Sequence, residues 1–243
     1  MIKLLDSFRL KINQFLIRVI KAISALGLTA ESRQYWLRHK REKSWLHDGG
    51  EIFKKSDFIF LSQASIVLDI GGYTGEFIAP LLCKYGSKIY TYEPVPEFAE
   101  KLRDRFLVNN SVNVINAAVG AKSGTIKLNL GHGGTSLFKT AENENSGVIT
   151  SKMLDIKGIL KELNEIDLLS INCEGGEYEI LEALIEGGLA NKIGCYFIQF
   201  HDVAEDSDTR RNKILRDLSH THKLVYDYPW VWTRLDRINL SNG

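Results

Sequence analysis

The residues whose spacing most directly implies a ligand are two carboxylates around a glycine turn. The apolar run Ile66-Val67-Leu68-Asp69-Ile70 ends in Gly71-Gly72-Tyr73-Thr74-Gly75. Glycine lets a chain turn sharply and lets backbone approach a ligand closely. A dinucleotide fingerprint, G-x-G-x-x-G, would need glycine where Tyr73 stands, so a nicotinamide-dependent oxidoreductase is disfavoured. What remains is D-x-G-x-x-x-G, with an acid two residues before the first glycine. Such an acid repels a pyrophosphate but suits an ammonium group. S-adenosylmethionine carries an ammonium in its methionine part and a sulfonium besides. Glu93 follows Gly71 by 22 residues, at the end of the next apolar run. A carboxylate there can accept hydrogen bonds from both hydroxyls of a ribose. His201-Asp202 closes a later run, Tyr196–Phe200, and a histidine titrates in the range of a general base near neutrality.

The elements that must position these groups alternate. Lys88–Glu93, Val112–Asn116, Asp167–Asn172, Cys195–Phe200 and Lys223–Tyr226 read as strands after the first run, and Thr125–Leu130 alternates like a half-exposed one. Residues 96–109 read as a helix, with Phe98, Leu102 and Phe106 at four-residue steps, and Glu179–Leu189 and Arg210–Leu218 are also helical. Strands alternating with helices predict a doubly wound α/β body with a mostly parallel sheet, whose ligands sit beyond the C-terminal strand ends. Pro80 is comfortable only in a first turn, so the helix after the glycines either starts near Phe77 or bends there. Gly131–Gly147 reads as a long polar, glycine-rich loop, and His132 within it could close over a site. Tyr228-Pro229-Trp230-Val231-Trp232 suits either stacking on a sugar ring or edge-strand packing.

Taken in order, four segments resemble the FkbM family of S-adenosylmethionine-dependent methyltransferases. They are Val67–Gly75 (VLDIGGYTG), Tyr92-Glu93-Pro94, Asn116–Gly120 (NAAVG) and Asp167–Glu177 (DLLSINCEGGE). The resemblance covers about residues 60–235 and leaves the N-terminal segment out. It implies the class I methyltransferase fold, a Rossmann-like seven-stranded sheet whose last strand is antiparallel. The activity it implies is methylation of a hydroxyl on a sugar-containing, lipid-linked or other small metabolite, with S-adenosyl-L-methionine as cofactor. Carried over by position, Asp69, Gly71, Gly72 and Gly75 would shape the methionine end of the pocket. Glu93 would hold the ribose, and Asn116 with Ala117 would face the adenine.

The family pattern at the fourth strand, approximately L-K-I-D-V-E-G-x-E, is altered here. Ser170 stands for lysine and Asn172 for aspartate, while Glu174 and Glu177 are retained. Methyl transfer is an in-line displacement in which alignment matters most, with effective molarities of about 10⁵ M and above. An alcohol also needs a base or a metal nearby. Glu174, His201 and Asn172 are the catalytic candidates, and no residue is assigned to a metal. Glu177 reads either as a group at the substrate mouth or as a solvent-facing acid in a helix first turn. The two replacements also motivate the alternative of a catalytically impaired binding or scaffold protein.

The net charge of +1 is a sum of unlike parts. Residues 1–55 carry 12 Lys/Arg against 5 Asp/Glu, and residues 56–243 carry 19 against 25. The expected organisation is therefore a basic helical extension, 1–55, joined to a mildly acidic methyltransferase domain, 56–243. Within 2–26 apolar residues recur at three and four with lysines and arginines off the stripe, so this helix lies on an anionic membrane surface or packs on the body or a twin subunit. A second, heavily charged helix is expected at 31–48, its Arg38–Lys43 cluster either a solvated face or a contact for an anionic substrate. No run reaches the length of a transmembrane span and no signal-peptide core is visible, which points to the cytoplasm with peripheral inner-membrane contact open. The modest charge argues against a nucleic-acid partner. Cys83, Cys173 and Cys195 form no CxxC pair and read as small buried hydrophobes.

Overall fold

The fold comes from a computed structural model that describes residues 40, 42–51, 57–131, 134–136 and 147–238. The chain forms two compact units, 1–44 and 45–243. The amphipathic helix expected at 2–26 lies outside the described residues, as does most of the one at 31–48, of which residues 42–47 are helical. The larger unit contains two sheets and the helices that cover them.

Its main sheet is built from β1 (Ile66–Ile70), β2 (Lys88–Tyr92), β3 (Val112–Ile115), β8 (Ile166–Ile171), β9 (Ile193–Ile198), β10 (His222–Tyr228) and β11 (Trp232–Arg237). The seven strands lie in the order β10-β11-β9-β8-β1-β2-β3. Every pairing from β3 through β9 is parallel, while β11 is antiparallel to both neighbours. Strand order reverses at β1, the first strand laid down, which places the ends of β1, β2, β8 and β9 around one crevice. The central strands IVLDI, IDLLSI and IGCYFI are almost continuously buried, as expected of strands covered on both faces.

Helices cover each face. The helices α1 (Ile78–Tyr85) and α2 (Pro96–Arg105) meet the side that carries Val67, Ile89, Leu168 and Phe197. On the other side α3 (Ile156–Leu163), α4 (Glu177–Glu186) and α5 (Ser207–Leu218) pack over Leu68, Leu169, Tyr196 and Ile198. The helix α1 starts after Phe77, so Pro80 falls in its first turn and bends nothing. It stops at Gly86, whose φ of 65° lets its N–H close back on the Leu82 carbonyl.

A second sheet has no counterpart in the sequence reading apart from the strand at 125–130. It comprises β4 (Ala118–Gly120), β5 (Gly124–Gly131), β6 (Gly134–Ser136) and β7 (Val148–Asp155), in the order β4-β7-β5-β6. The expected polar loop over 131–147 is, where described, partly this sheet, since β5 extends to Gly131 and β6 pairs back on it. The Tyr228–Trp232 segment turns β10 into β11. Trp232 is not at an edge: its ring stacks on Phe197 at 4.1 Å, and Phe77 stacks on Phe197 at 5.4 Å. The cysteine reading fails for Cys83, which is exposed on α1, and holds for Cys195. Among the described residues no helix is long and apolar enough to cross a membrane.

Candidate active site

The parallel register decides what lies beneath the glycine turn. Asp69 of β1 is level with Thr91 of β2 and with Ser170 of β8. The three polar side chains therefore form a buried row across the middle of the sheet, and Thr91 donates to Asp69 Oδ2 at 2.9 Å. Burial pushes the Asp69 carboxyl up to about 6, with the Thr91 and Ser170 hydroxyls pulling the other way. Gly72 sits against this row, because a side chain there would strike the Thr91 hydroxyl. Asp69 thus supports the turn from below and does not line the cavity above it.

That cavity, of about 170 Å³, is lined by Ile70, Gly71, Tyr73, Glu93, Asn172 and Glu174, among others. Glu93, 4% exposed, accepts the Tyr73 N–H at 2.8 Å through one oxygen and the Val95 N–H at 2.9 Å through the other. One carboxylate thereby ties the turn after β1 to the turn after β2. A carboxylate has about four acceptor directions, so capacity for a diol remains. Burial lifts the Glu93 carboxyl to about 7, opposed by those two backbone bonds and reinforced by nearby Asp69.

At the β8 end, Asn172 lines the cavity and its Oδ1 is buried with no hydrogen-bond partner. An orphaned acceptor costs about 1–3 kcal/mol and suits a donor such as an ammonium group. Together with the remaining acceptor capacity of Glu93, it fits the two polar ends of S-adenosylmethionine. Tyr73 and Glu174, also on the cavity wall, hold positive φ values of 48° and 51°. Left-handed backbone at bulky residues stores about 1–3 kcal/mol each and concentrates at functional sites.

The predicted adenine contacts are arranged otherwise. Asn116 donates its amide to the Glu93 carbonyl at 2.8 Å, and the Ala117 N–H is bonded to the Ile115 carbonyl. Neither lines the cavity, whose wall there is Ala118 and Val119. Gly72 and Gly75 also lie off the wall, whereas Gly71 is on it. Residues the sequence reading passed over line it too: Tyr73 and Phe98, whose rings meet edge to face at 4.6 Å, and Ile126 and Leu128 of the second sheet. The first pair could have been found from an aromatic inside the glycine turn. The second pair looks like any half-buried strand.

His201 lies between two acids. Its Nδ1 is 3.2 Å from Glu177 Oε1, and its Nε2 is 3.5 Å from Glu174 Oε1. Burial alone would lower the imidazole, but the two carboxylates overcome it and raise His201 to about 10. Glu177 is not the solvent-facing acid its helix position suggested, being fully buried. Asp202 is exposed beside His201. Glu174 lines the cavity and Glu177 does not. Among the described residues no group of three or more His, Cys, Asp or Glu is placed to hold a metal.

These shifts predict a pH dependence of stability. Asp69 and Glu93 are raised from 3.8 and 4.5, so between about pH 4 and 7 the folded chain binds more protons than the unfolded one. Unfolding free energy then falls as pH rises through that window. His201 adds stability that is complete below 6.5 and is lost as pH climbs towards 10, which has the same sign. Thermal unfolding should therefore show Tm falling from pH 6 to 9. Asp69→Asn should raise Tm at pH 8 and change it little at pH 5. A Tm that rises from pH 6 to 9 in the wild type would contradict these assignments.

A family model for the methyltransferase FkbM domain matches residues 69–227. A comparison with curated proteins found no match. Solved structures to which the chain is similar include the precorrin-6y C5,15-methyltransferase of Geobacter metallireducens, at 13% identity, 78% of this chain and 88% of that one, with a TM-score of 0.46. An rRNA methylase from Streptococcus thermophilus is similar at 13% identity, 74% and 90% coverage, and a TM-score of 0.43. Aeropyrum pernix fibrillarin, crystallised with natively bound S-adenosyl-L-methionine, is similar at 10% identity, 73% and 67% coverage, and a TM-score of 0.40.

Proposed function

Because this chain belongs to the FkbM methyltransferase family, we propose that it transfers the methyl group of S-adenosyl-L-methionine to a hydroxyl oxygen of a sugar-containing, lipid-linked or other small metabolite. The observation that carries the reading is one cavity with Glu93 and Asn172 on its wall for the cofactor and Glu174 on the same wall for the acceptor. When bound, the cofactor supplies an electrophilic methyl on a good leaving group. Glu93 would accept from the ribose hydroxyls, and Asn172 Oδ1 would accept from the ammonium.

Glu174 would take the proton that the acceptor hydroxyl gives up. His201 carries its own proton at neutral pH and has no lone pair to offer, so it acts as a donor to Glu174. Asn172, a neutral amide, orients and takes no proton. General-base assistance of this kind contributes about 10²–10⁴-fold.

The test is S-adenosylhomocysteine release from purified protein offered a panel of glycan and lipid-linked hydroxyl acceptors. Glu174→Gln is expected to slow transfer about 10²–10⁴-fold with cofactor affinity little changed. Failure of the wild type to bind S-adenosylmethionine would sink the proposal. Binding without transfer to any acceptor would favour a catalytically impaired binding protein.

A further inference from the structure

Glu177 is a carboxylate with no access to solvent and no place on the cavity wall, yet it gathers four donors. Its Oε1 accepts the His201 backbone N–H at 2.7 Å and faces His201 Nδ1 at 3.2 Å. Its Oε2 accepts the Gly175 N–H at 2.8 Å and the Cys173 thiol at 3.8 Å. Burying a carboxylate is costly unless it is paired and hydrogen-bonded. A helix-start acid with no other task would sit in water. Here it joins the turn after β8, which holds Glu174 in its left-handed conformation, to the turn after β9, which holds His201.

We infer that Glu177 is the positioning residue of this site: it fixes the His201 ring through Nδ1, keeps that ring a donor at Nε2, and so aims Glu174 into the cavity. The inference rests on the catalytic reading of Glu174 and adds to it the group that prepares it. A carboxylate facing each ring nitrogen favours the imidazolium, in which both nitrogens carry a proton and donate. With Glu177 holding Nδ1–H, Nε2 faces Glu174 and not the carboxylate behind it.

Among the described residues, Asp202 lies exposed next to His201, and two arginines of α5 lie over the rings of Tyr178 and Phe200 beside it. Arg210 lies over the Tyr178 ring at 4.8 Å and pairs with Glu182, and Tyr178 donates to the His201 carbonyl at 2.7 Å. Arg211 lies over Phe200 and pairs with Asp227. Both guanidiniums are thus matched by other carboxylates. Glu174 is 43% exposed on its side chain, so solvent weakens its hold relative to that of Glu177.

The experiment is a pH titration of histidine-labelled full-length protein by ¹⁵N NMR, with His201 assigned through His201→Gln. In the wild type both ring nitrogens should remain protonated at pH 8. Glu174→Gln should leave them protonated, whereas Glu177→Gln should move the titration midpoint down by at least about 1.5 pH units, with partial recovery in Glu177→Asp. Loss of the proton at pH 8 in Glu174→Gln would overturn the inference, even if Glu177→Gln does not fold. An unchanged midpoint in a folded Glu177→Gln would overturn it as well. Calorimetric titration with S-adenosylhomocysteine separates the two levels, because absent binding in the wild type removes the proposed function while the His201 titration is still read.

Discussion

Glu93→Ala is expected to weaken S-adenosylmethionine binding by about 100-fold or more. The carboxylate already takes the N–H groups of Tyr73 and Val95, so it stands rigid at the cavity wall before any ligand arrives. Two further hydrogen bonds to a ribose, each about 1.5–3 kcal/mol when one partner is charged, sum to about 3–6 kcal/mol. That corresponds to roughly 10²- to 10⁴-fold in affinity. Alanine also strands two backbone donors, so Glu93→Gln serves as the control of similar volume, with folding checked by circular dichroism. The carboxyl titrates near 7, and its charged form is the better acceptor for hydroxyls. Affinity in the wild type should therefore improve from pH 6 to 8, and Glu93→Gln should lose that improvement. Calorimetry showing Glu93→Ala within about threefold of the wild type would mean that the ribose is held elsewhere.

Glu93 was legible in the sequence because its position follows from a count: a strand, a glycine turn, a helix and a second strand put an acid at the C-terminal end of the strand beside β1. Gly71 was legible for a similar local reason. Asp69 was visible as a residue, but its direction was not, since a strand side chain points to one face or the other according to register. The register with Thr91 and Ser170 exists only once three strands are paired. The second sheet escaped because β4 pairs with β7 across more than 30 residues, and short strands of that kind carry little periodicity. Glu177 was misread for the opposite reason. A first-turn acid is stabilised by the helix dipole wherever it points, so local sequence could not reveal that this one turns inward to His201, 24 residues on. The N-terminal stripe over 2–26 remains an expectation about a segment outside the described residues.

Gly71→Ala should be the most damaging single methyl group in the site. Gly71 has φ of +91°, a conformation that costs an L-residue about 1–2 kcal/mol. Its added Cβ would overlap the backbone carbonyl oxygen of Asn172 and lie 2.9 Å from the carbonyl carbon. That obstacle cannot rotate aside, because the Asn172 N–H is bonded to the Ile70 carbonyl at 2.9 Å, and the Gly71 N–H to the Tyr92 carbonyl at 2.9 Å. Relief requires the ends of β1 and β8 to part, and those ends carry Gly71, Asn172 and Glu174 on one cavity wall. The expected result is a clear fall in Tm together with loss of measurable cofactor binding. Gly188→Ala is the matched control, since Gly188 has φ of +65° but nothing within 4 Å of an added Cβ. It should lower Tm slightly and leave binding untouched. If Gly71→Ala kept native Tm and affinity, the two strand ends would be free to separate, and the close approach of β1 to β8 could not be what holds the ligand wall in place.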